Sequence, residues 1–120
     1  MQRDMDLCRA ILLEIESFPV GRSAMWDAID SKLSDVYGID VVNEHVDLLN
    51  DAEFLKGYHD DGASVGVEGL SWKGHDFIEA ARSDSMWEKA KAELKAKGVG
   101  LSLDVLKSAL VFFAKQAMGI

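Results

Sequence analysis

The sequence has 120 residues, of which 48% are hydrophobic and 28% are charged, and its formal net charge is −8. This balance is typical of one folded globular chain, and the single cysteine, Cys8, excludes an internal disulfide and a cysteine-based zinc site. Because the charged N-terminus lacks the apolar stretch of a signal peptide and the longest apolar run is far shorter than the roughly 20 residues of a membrane span, we expect a cytoplasmic protein with no membrane contact.

The first half of the chain predicts three helices. Residues 3–17 carry one apolar face at helical spacing, formed by Cys8, Ile11, Leu12 and Ile15. Ser23 is the expected N-cap of a second helix, and a short strand over residues 25–29 is the alternative. The shared face of that helix would be Trp26, Ile29, Leu33 and Val36. Asp40 is the expected N-cap of a third helix over residues 41–52, with the inner face Val42, His45, Val46 and Leu49.

A hairpin and three more helices are predicted after residue 53. Residues 54–59 and 63–72 read as extended stretches joined by Asp60-Asp61-Gly62, and an Asp-Gly turn between such stretches favours a hairpin. Its inward contacts would be Val65, Val67 and Leu70. Ser71 is expected to cap a fourth helix with Phe77, Ile78 and Ala81 inside, where Gly74 allows close packing. Ser83 or Asp84 begins a fifth helix, and Ser102 caps a last helix from Leu103 to about Met118.

This order of elements predicts a mainly α fold with a small β-hairpin. Three helices followed by a two-stranded wing are winged-helix-like, and two additional helices follow at the C-terminus. We expect a single domain, residues 1–120, with a winged-helix core over residues 1–82 and a helical extension over residues 83–120. A lone hairpin is only marginally stable, so the wing is expected to lie on the helical layer.

Several segments spread over nearly the whole chain are distinctive. They are residues 3–7, residues 11–16, His45-Val46 with Leu48-Leu49, Leu70-Ser71-Trp72-Lys73-Gly74-His75-Asp76-Phe77, Trp87 and residues 102–107. These segments resemble a family of small phage- and prophage-encoded proteins of unknown function. The resemblance implies a winged-helix-like fold and a virus–host or prophage setting, and it carries no catalytic or binding residues. Gln2 replaces the family's lysine, and Glu53 replaces a glycine after the third helix, where we therefore expect a differently built turn.

No residues in the sequence assemble into a recognisable active site. His45, His59 and His75 lie on different elements without the paired spacing of a zinc site. His45 falls on a buried helix face, which favours a hydrogen-bonded core role. Cys8 lies on an inner face with no base beside it, and the carboxylates lie in polar contexts rather than in the dry pocket that acid–base catalysis needs. We expect no enzyme, no cofactor and no metal site.

Charge is distributed unevenly along the chain. Residues 1–70 contain five basic and 15 acidic residues, whereas residues 71–120 contain eight basic and six acidic residues. A winged helix contacts DNA with its third helix and its wing, and an acidic surface there repels the phosphate backbone. Direct DNA binding is therefore less expected than protein binding. The predicted partner-binding residues are Asp40, Asn43, Glu44, Asp47, Asn50, Asp51, Asp60 and Asp61.

The predicted last helix is apolar over most of its circumference. Such a helix must be covered on most sides, either by the chain's own core or by a partner. A homodimer is one way to cover it. The candidate oligomerisation residues are Leu103, Leu106, Leu110, Phe112 and Phe113.

These observations favour a non-enzymatic protein–protein interaction module of phage or prophage type, acting on a host protein or nucleoprotein complex in the host cytoplasm. One concrete version is an anti-CRISPR-type inhibitor that occupies the nucleic-acid-binding groove of a host defence complex. The alternative is a dimeric winged-helix transcription regulator. It would bind DNA through an unusual wing or through the basic residues of the fifth helix, Lys89, Lys91, Lys95 and Lys97.

Overall fold

The computed structural model describes residues 1–19 and 25–119, so the predicted N-cap Ser23 lies outside the described residues. Within these ranges the six α-helices are α1 Met5–Glu16, α2 Leu33–Tyr37, α3 Ile39–Asp51, α4 Trp72–Ala81, α5 Asp84–Ala96 and α6 Leu103–Met118. The five short strands in the same ranges are β1 Trp26–Asp27, β2 Leu55–Lys56, β3 His59–Asp60, β4 Val65–Val67 and β5 Gly69–Leu70. The predicted mainly α fold with a small β part is confirmed.

The chain forms two compact units, Met1–His75 and Asp76–Ile120, with the boundary inside α4. In the first unit, α1 packs against α3 and β5, and α3 packs against α2 and β2. In the second unit, α5 packs against α6. None of the helices in the described ranges has the length and the apolar character needed to cross a membrane.

The N-terminal helix begins two residues later than the sequence suggested. Asp4 is its N-cap, and the Asp4 side chain accepts a hydrogen bond from the Leu7 N–H at 3.1 Å, which satisfies a free donor of the first turn. The predicted apolar face is confirmed, because Cys8, Ile11, Leu12 and Ile15 are all buried.

The segment after residue 25 follows the strand alternative rather than the predicted helix. Trp26 is buried in β1, and its Nε1–H donates to Glu14 Oε1 at 2.9 Å. Asp27 then caps a 3-10 turn, Ala28–Asp30, by accepting from the Ile29 N–H, so the backbone turns before it can become helical. The expected common face is wrong, since Ile29 and Val36 are 60% and 76% exposed.

Helix α3 confirms the predicted inner face but not the predicted cap. Val42, His45, Val46 and Leu49 are all buried. The helix begins at Ile39 after Gly38, and Gly38 makes no side-chain cap. Asp40 is therefore not the N-cap. It lies in the first turn, where a negative charge is favourable to the helix dipole.

The turn that ends α3 is built as a glycine turn although it contains Glu53. Glu53 has a φ of 68°, its N–H donates to the Asn50 carbonyl, and the Phe54 N–H donates to the Leu49 carbonyl. These two bonds form the Schellman motif, whose left-handed position usually holds glycine. The expectation of a differently built turn is therefore wrong.

The hairpin region contains four short strands instead of two. In the first sheet β4 lies between β1 and β3, with Trp26 opposite Val67 and His59 opposite Gly66. In the second sheet β2 pairs with β5, with Leu55 opposite Leu70. The expected inward residues Val65, Val67 and Leu70 are buried.

The predicted caps of the later helices are confirmed. Ser71, Ser83 and Ser102 each accept a hydrogen bond from a backbone N–H in the first turn of α4, α5 and α6. Gly74 is buried directly against the Phe54 carbonyl, where a β-carbon would collide with backbone, so the predicted close approach is confirmed. In the second unit, Phe77 and Trp87 are buried edge to face, with ring centres 6.1 Å apart.

Candidate functional site

Helix α3 presents a row of carboxylates on its exposed side. Asp40, Glu44, Asp47 and Asp51 follow the i, i+4, i+7, i+11 spacing that places residues in one line along a helix, and all four are exposed. The line is exposed because the intervening positions Val42, Val46 and Leu49 are buried. The periodicity that builds the core therefore also builds the acidic line.

The β3–β4 turn adds two carboxylates, which also shape the turn. Asp60 Oδ1 accepts from the Gly62 N–H at 2.8 Å, and Asp61 Oδ1 accepts from the N–H groups of Ala63 and Ser64 at 2.9 Å. The bonds from Ser64 and Ala63 lower the pKa of Asp61 below its ordinary value. Both aspartates thus have a structural role in the hairpin besides their charge.

A groove of about 340 Å³ lies between α3 and the hairpin, and we call it the acidic groove. Its lining residues are Asp40, Asn43, Glu44, Asp47, Tyr58, Asp60, Gly62, Ala63, Ser64 and Val65. Five of the predicted partner-binding residues are brought together here: Asp40, Asn43, Glu44, Asp47 and Asp60. Asn50, Asp51 and Asp61 do not line it. The lining contains four carboxylates and no lysine or arginine.

Tyr58 joins the two walls of the acidic groove, and the sequence analysis missed it. Its hydroxyl donates to Asp47 Oδ1 at 2.9 Å. Burial raises the pKa of Tyr58 to about 12, assisted by the bond to Asp47 and by the negative charges of Asp47, Asp60 and Glu44. The phenol is therefore a neutral donor at physiological pH. No local signal identifies this contact, because it depends on how the hairpin packs beside α3.

Asn43 lines the acidic groove, but its side-chain oxygen is buried. Its Oδ1 has no hydrogen-bond partner among the described residues. Because this oxygen has almost no accessible surface, the acceptors that the groove presents to a ligand are the carboxylates of Asp40, Glu44, Asp47 and Asp60. The acidic groove therefore offers acceptors, and it suits a ligand that carries positive charge and N–H donors.

Two of the residues that could have supplied reactive chemistry, His45 and Cys8, are buried in the core. His45 is fully buried: its Nδ1–H donates to the Val41 carbonyl at 2.8 Å, and its Nε2 accepts from the Asp4 N–H at 2.9 Å. This confirms the expected core role. Burial, with the nearby charge of Asp4, raises the pKa of the Cys8 thiol to about 11, so Cys8 stays protonated and unreactive at neutral pH. Across residues 1–19 and 25–119, no three His, Cys, Asp or Glu side chains cluster closely enough to hold a metal ion.

The candidate oligomerisation residues of α6 are divided between interior and surface. Leu106, Leu110 and Phe113 are at most 5% exposed, Leu103 is half-buried, and Phe112 is 57% exposed.

The lysines of α5 differ in their exposure. Lys89, Lys95 and Lys97 are exposed, whereas the side chain of Lys91 is 13% exposed and lies 3.1 Å from Glu88.

Comparison with known proteins identifies relatives by sequence. A family model described as "Hypothetical protein (DUF2513)" matches residues 2–100. An uncharacterized protein from Haemophilus influenzae (strain Rd) is 32% identical over 114 residues, which cover 89% of this chain and 90% of the relative. No solved structure matches the chain. Because the family model covers most of the sequence and the relative matches over nearly its full length, the chain belongs to the DUF2513 family of hypothetical proteins.

Proposed function

We propose that this chain is a non-enzymatic protein-binding module whose acidic groove holds a basic segment of a partner protein. One observation carries the proposal: four carboxylates line one concave site that has no basic side chain in its lining. A lysine or arginine placed there would gain charge-assisted hydrogen bonds. The same arrangement would repel a phosphate.

We propose a winged-helix arrangement for residues 1–82. A central β4 between β1 and β3, with α2 and α3 between β1 and β3 in the chain, is the strand order typical of winged helices. In that arrangement α3 would be the recognition helix and the β3–β4 hairpin the wing. The acidic groove would then occupy the position where relatives of this architecture bind a duplex.

This placement suggests the kind of partner. The acidic groove carries negative charge, as a nucleic acid does. It is therefore complementary to the basic groove of a nucleic-acid-binding protein. We propose a phage or prophage setting, on the resemblance described above, and inhibition of a host defence nucleoprotein complex, in the manner of an anti-CRISPR, as one concrete version.

The test compares how strongly the wild type and charge-reversed variants bind a basic ligand. Immobilised protein is offered a labelled oligoarginine peptide and, separately, a bacterial lysate. We expect Glu44→Lys and Asp47→Lys each to weaken peptide binding about tenfold, because each replaces an attractive contact by a repulsive one. The control is Asp76→Lys, an equal charge change at an exposed position outside the groove. Equal binding by the groove variants and by the wild type would contradict the proposal.

A second candidate function is DNA binding by the second unit. The exposed Lys89, Lys95 and Lys97 of α5 favour it, because lysines on one helix are able to neutralise phosphates. Glu88 and Glu93 interrupt this basic surface, which lowers its attraction for a phosphate backbone. The two functions differ in their ligand, so a duplex DNA titration separates them.

A further inference from the structure

The side of α6 opposite its buried face has a distinctive composition. Asp104, Ser108, Val111 and Lys115 follow the i, i+4, i+7, i+11 spacing of one line, and Lys107 and Phe112 flank it. We call these six residues the outer face of α6. The buried Leu106, Leu110 and Phe113 lie on the other side of the helix. Five residues of the outer face are exposed, namely Asp104, Ser108, Val111, Phe112 and Lys115, and Lys107 is half-buried.

The outer face has an apolar middle. Val111 is 38% exposed and Phe112 is 57% exposed, and the two are adjacent in sequence, so they form a small exposed apolar patch. A shallow depression of about 340 Å³ is lined by Lys107, Ser108, Val111, Phe112 and Lys115. The small side chain of Ser108 leaves this space open beside the phenyl ring. Another helix is able to approach closely there.

The two ends of the outer face carry charges of opposite sign. Asp104 lies in the first turn of α6, and Lys115 lies in the last turn. The two are eleven positions apart, which is about 16 Å along a helix. A second helix of the same sequence in parallel orientation would bring like charges together. In antiparallel orientation it brings opposite charges together at both ends.

We propose that a second copy of this chain docks antiparallel on the outer face of α6. Asp104 then faces Lys115 of the second copy, Ser108 faces Val111, and Lys107 lies along Phe112. The two-fold axis repeats each of these contacts, as an isologous interface requires. The lysine stems cover the phenyl rings while their ammonium groups remain in water.

The pattern selects a second copy over other occupants. An acidic amphipathic helix would suit Lys107 and Lys115 but would oppose Asp104. An anionic membrane surface would meet the same repulsion at Asp104. Only a partner with the reverse order of charges matches both ends, and the antiparallel copy has that order by symmetry. The contact lies within the second unit and does not depend on the acidic groove.

The strength of the dimer is expected to be modest. A face carried by one helix of about 24 Å is smaller than the ~800 Å² that each partner of a standard stable interface buries. We therefore expect reversible association, with a dissociation constant on the order of micromolar.

Sedimentation equilibrium of the full chain over a concentration series tests the proposal. We expect a monomer–dimer equilibrium for the wild type. The variants Asp104→Lys and Lys115→Asp are each expected to raise the dissociation constant about tenfold, because each introduces two like-charge contacts across the two-fold axis. Phe112→Ala is expected to weaken the dimer by removing its apolar centre. Lys95→Asp on the exposed side of α5 is the charge control and should leave the dissociation constant unchanged.

An equimolar mixture of the two charge variants is the decisive sample. In a mixed antiparallel dimer every introduced lysine faces an introduced aspartate, so the wild-type dissociation constant should return. A loss of helix caused by Asp104→Lys would not be repaired by mixing, and circular dichroism of each variant monitors it. A wild type that stays monomeric at the highest concentration, or a mixture that stays as weak as its components, would overturn the proposal.

Discussion

At the residue scale, Glu53 is the position where local conformation and residue type conflict. Its φ of 68° is left-handed, which is easy for glycine and costs other residues roughly 1 kcal/mol. Gly98 occupies the equivalent turn after α5 with a φ of 71°, and there the Val99 N–H donates to the Leu94 carbonyl. The two turns have equivalent hydrogen bonds but differ in the residue at the left-handed position, which is glutamate in one and glycine in the other. Each turn is therefore a control for the other.

We predict that Glu53→Gly raises the free energy of unfolding by about 1 kcal/mol, because it removes the left-handed strain. Thermal denaturation followed by circular dichroism should show a rise of about 4 °C in Tm. The bond from the Ser71 hydroxyl to the Glu53 carbonyl is unaffected, since it uses only backbone of residue 53. The matched variant Gly98→Ala should lower the stability by a similar amount. An unchanged Tm for Glu53→Gly would refute this explanation of the turn.

At the scale of elements, the bond from Tyr58 to Asp47 links the hairpin to α3. The native pKa of about 12 lies above the value near 10 that an unfolded tyrosine has. Between these two values the unfolded chain has lost the phenolic proton and the native chain retains it. The stabilisation is therefore complete below pH 10 and is lost as the pH rises towards 12.

We predict that the free energy of unfolding falls more steeply between pH 10 and 12 in the wild type than in Tyr58→Phe. Denaturant unfolding at a series of pH values measures the difference in slope. The lysines and Tyr37 also titrate in this range, but they are present in both proteins, so their contribution cancels in the comparison. Absorbance of the phenolate provides a second readout, in which the wild type should have a late-titrating component that Tyr58→Phe lacks. Identical pH profiles of the two proteins would show that Tyr58 does not link the hairpin to α3 in this way.

At the scale of the whole molecule, the net charge of −8 is distributed so that the groove between α3 and the β3–β4 hairpin is acidic. Each contact with a DNA phosphate requires a basic side chain that displaces a condensed counterion. The lining of the acidic groove contains no lysine or arginine. The exposed lysines that follow one another most closely are Lys89 and Lys95 of α5 with Lys97 directly after it, and Glu88 and Glu93 lie among them. We therefore expect the acidic groove to repel nucleic acid and the lysines of α5 to attract it only weakly.

We predict no measurable binding of a labelled random-sequence duplex at about 0.15 M salt in fluorescence anisotropy, because repulsion by the acidic groove is still effective within the ~8 Å Debye length. The charge-reversed Asp47→Lys should gain weak, salt-sensitive binding. Tight binding by the wild type that decreases steeply with salt and disappears in Lys95→Glu would instead establish the second candidate function.

The sequence by itself determined the features that depend on near neighbours. Helical periodicity identified the buried faces of α1 and α3, and serine caps located the starts of α4, α5 and α6, because capping and amphipathicity act within a few residues. The acidic line on α3 followed from the same periodicity. Membership of a family of hypothetical proteins was likewise readable from linear segments.

The tertiary structure decided everything that depends on distant partners. Trp26 lies in a strand rather than a helix because Val67 pairs with it, and Tyr58 reaches Asp47 only after the hairpin packs beside α3. The division of α6 into a buried and an open side depends in the same way on what covers it. Short-range propensities are worth a few tenths of a kcal/mol per residue, and burial of a large side chain is worth several times more, so the distant contact wins wherever the two disagree.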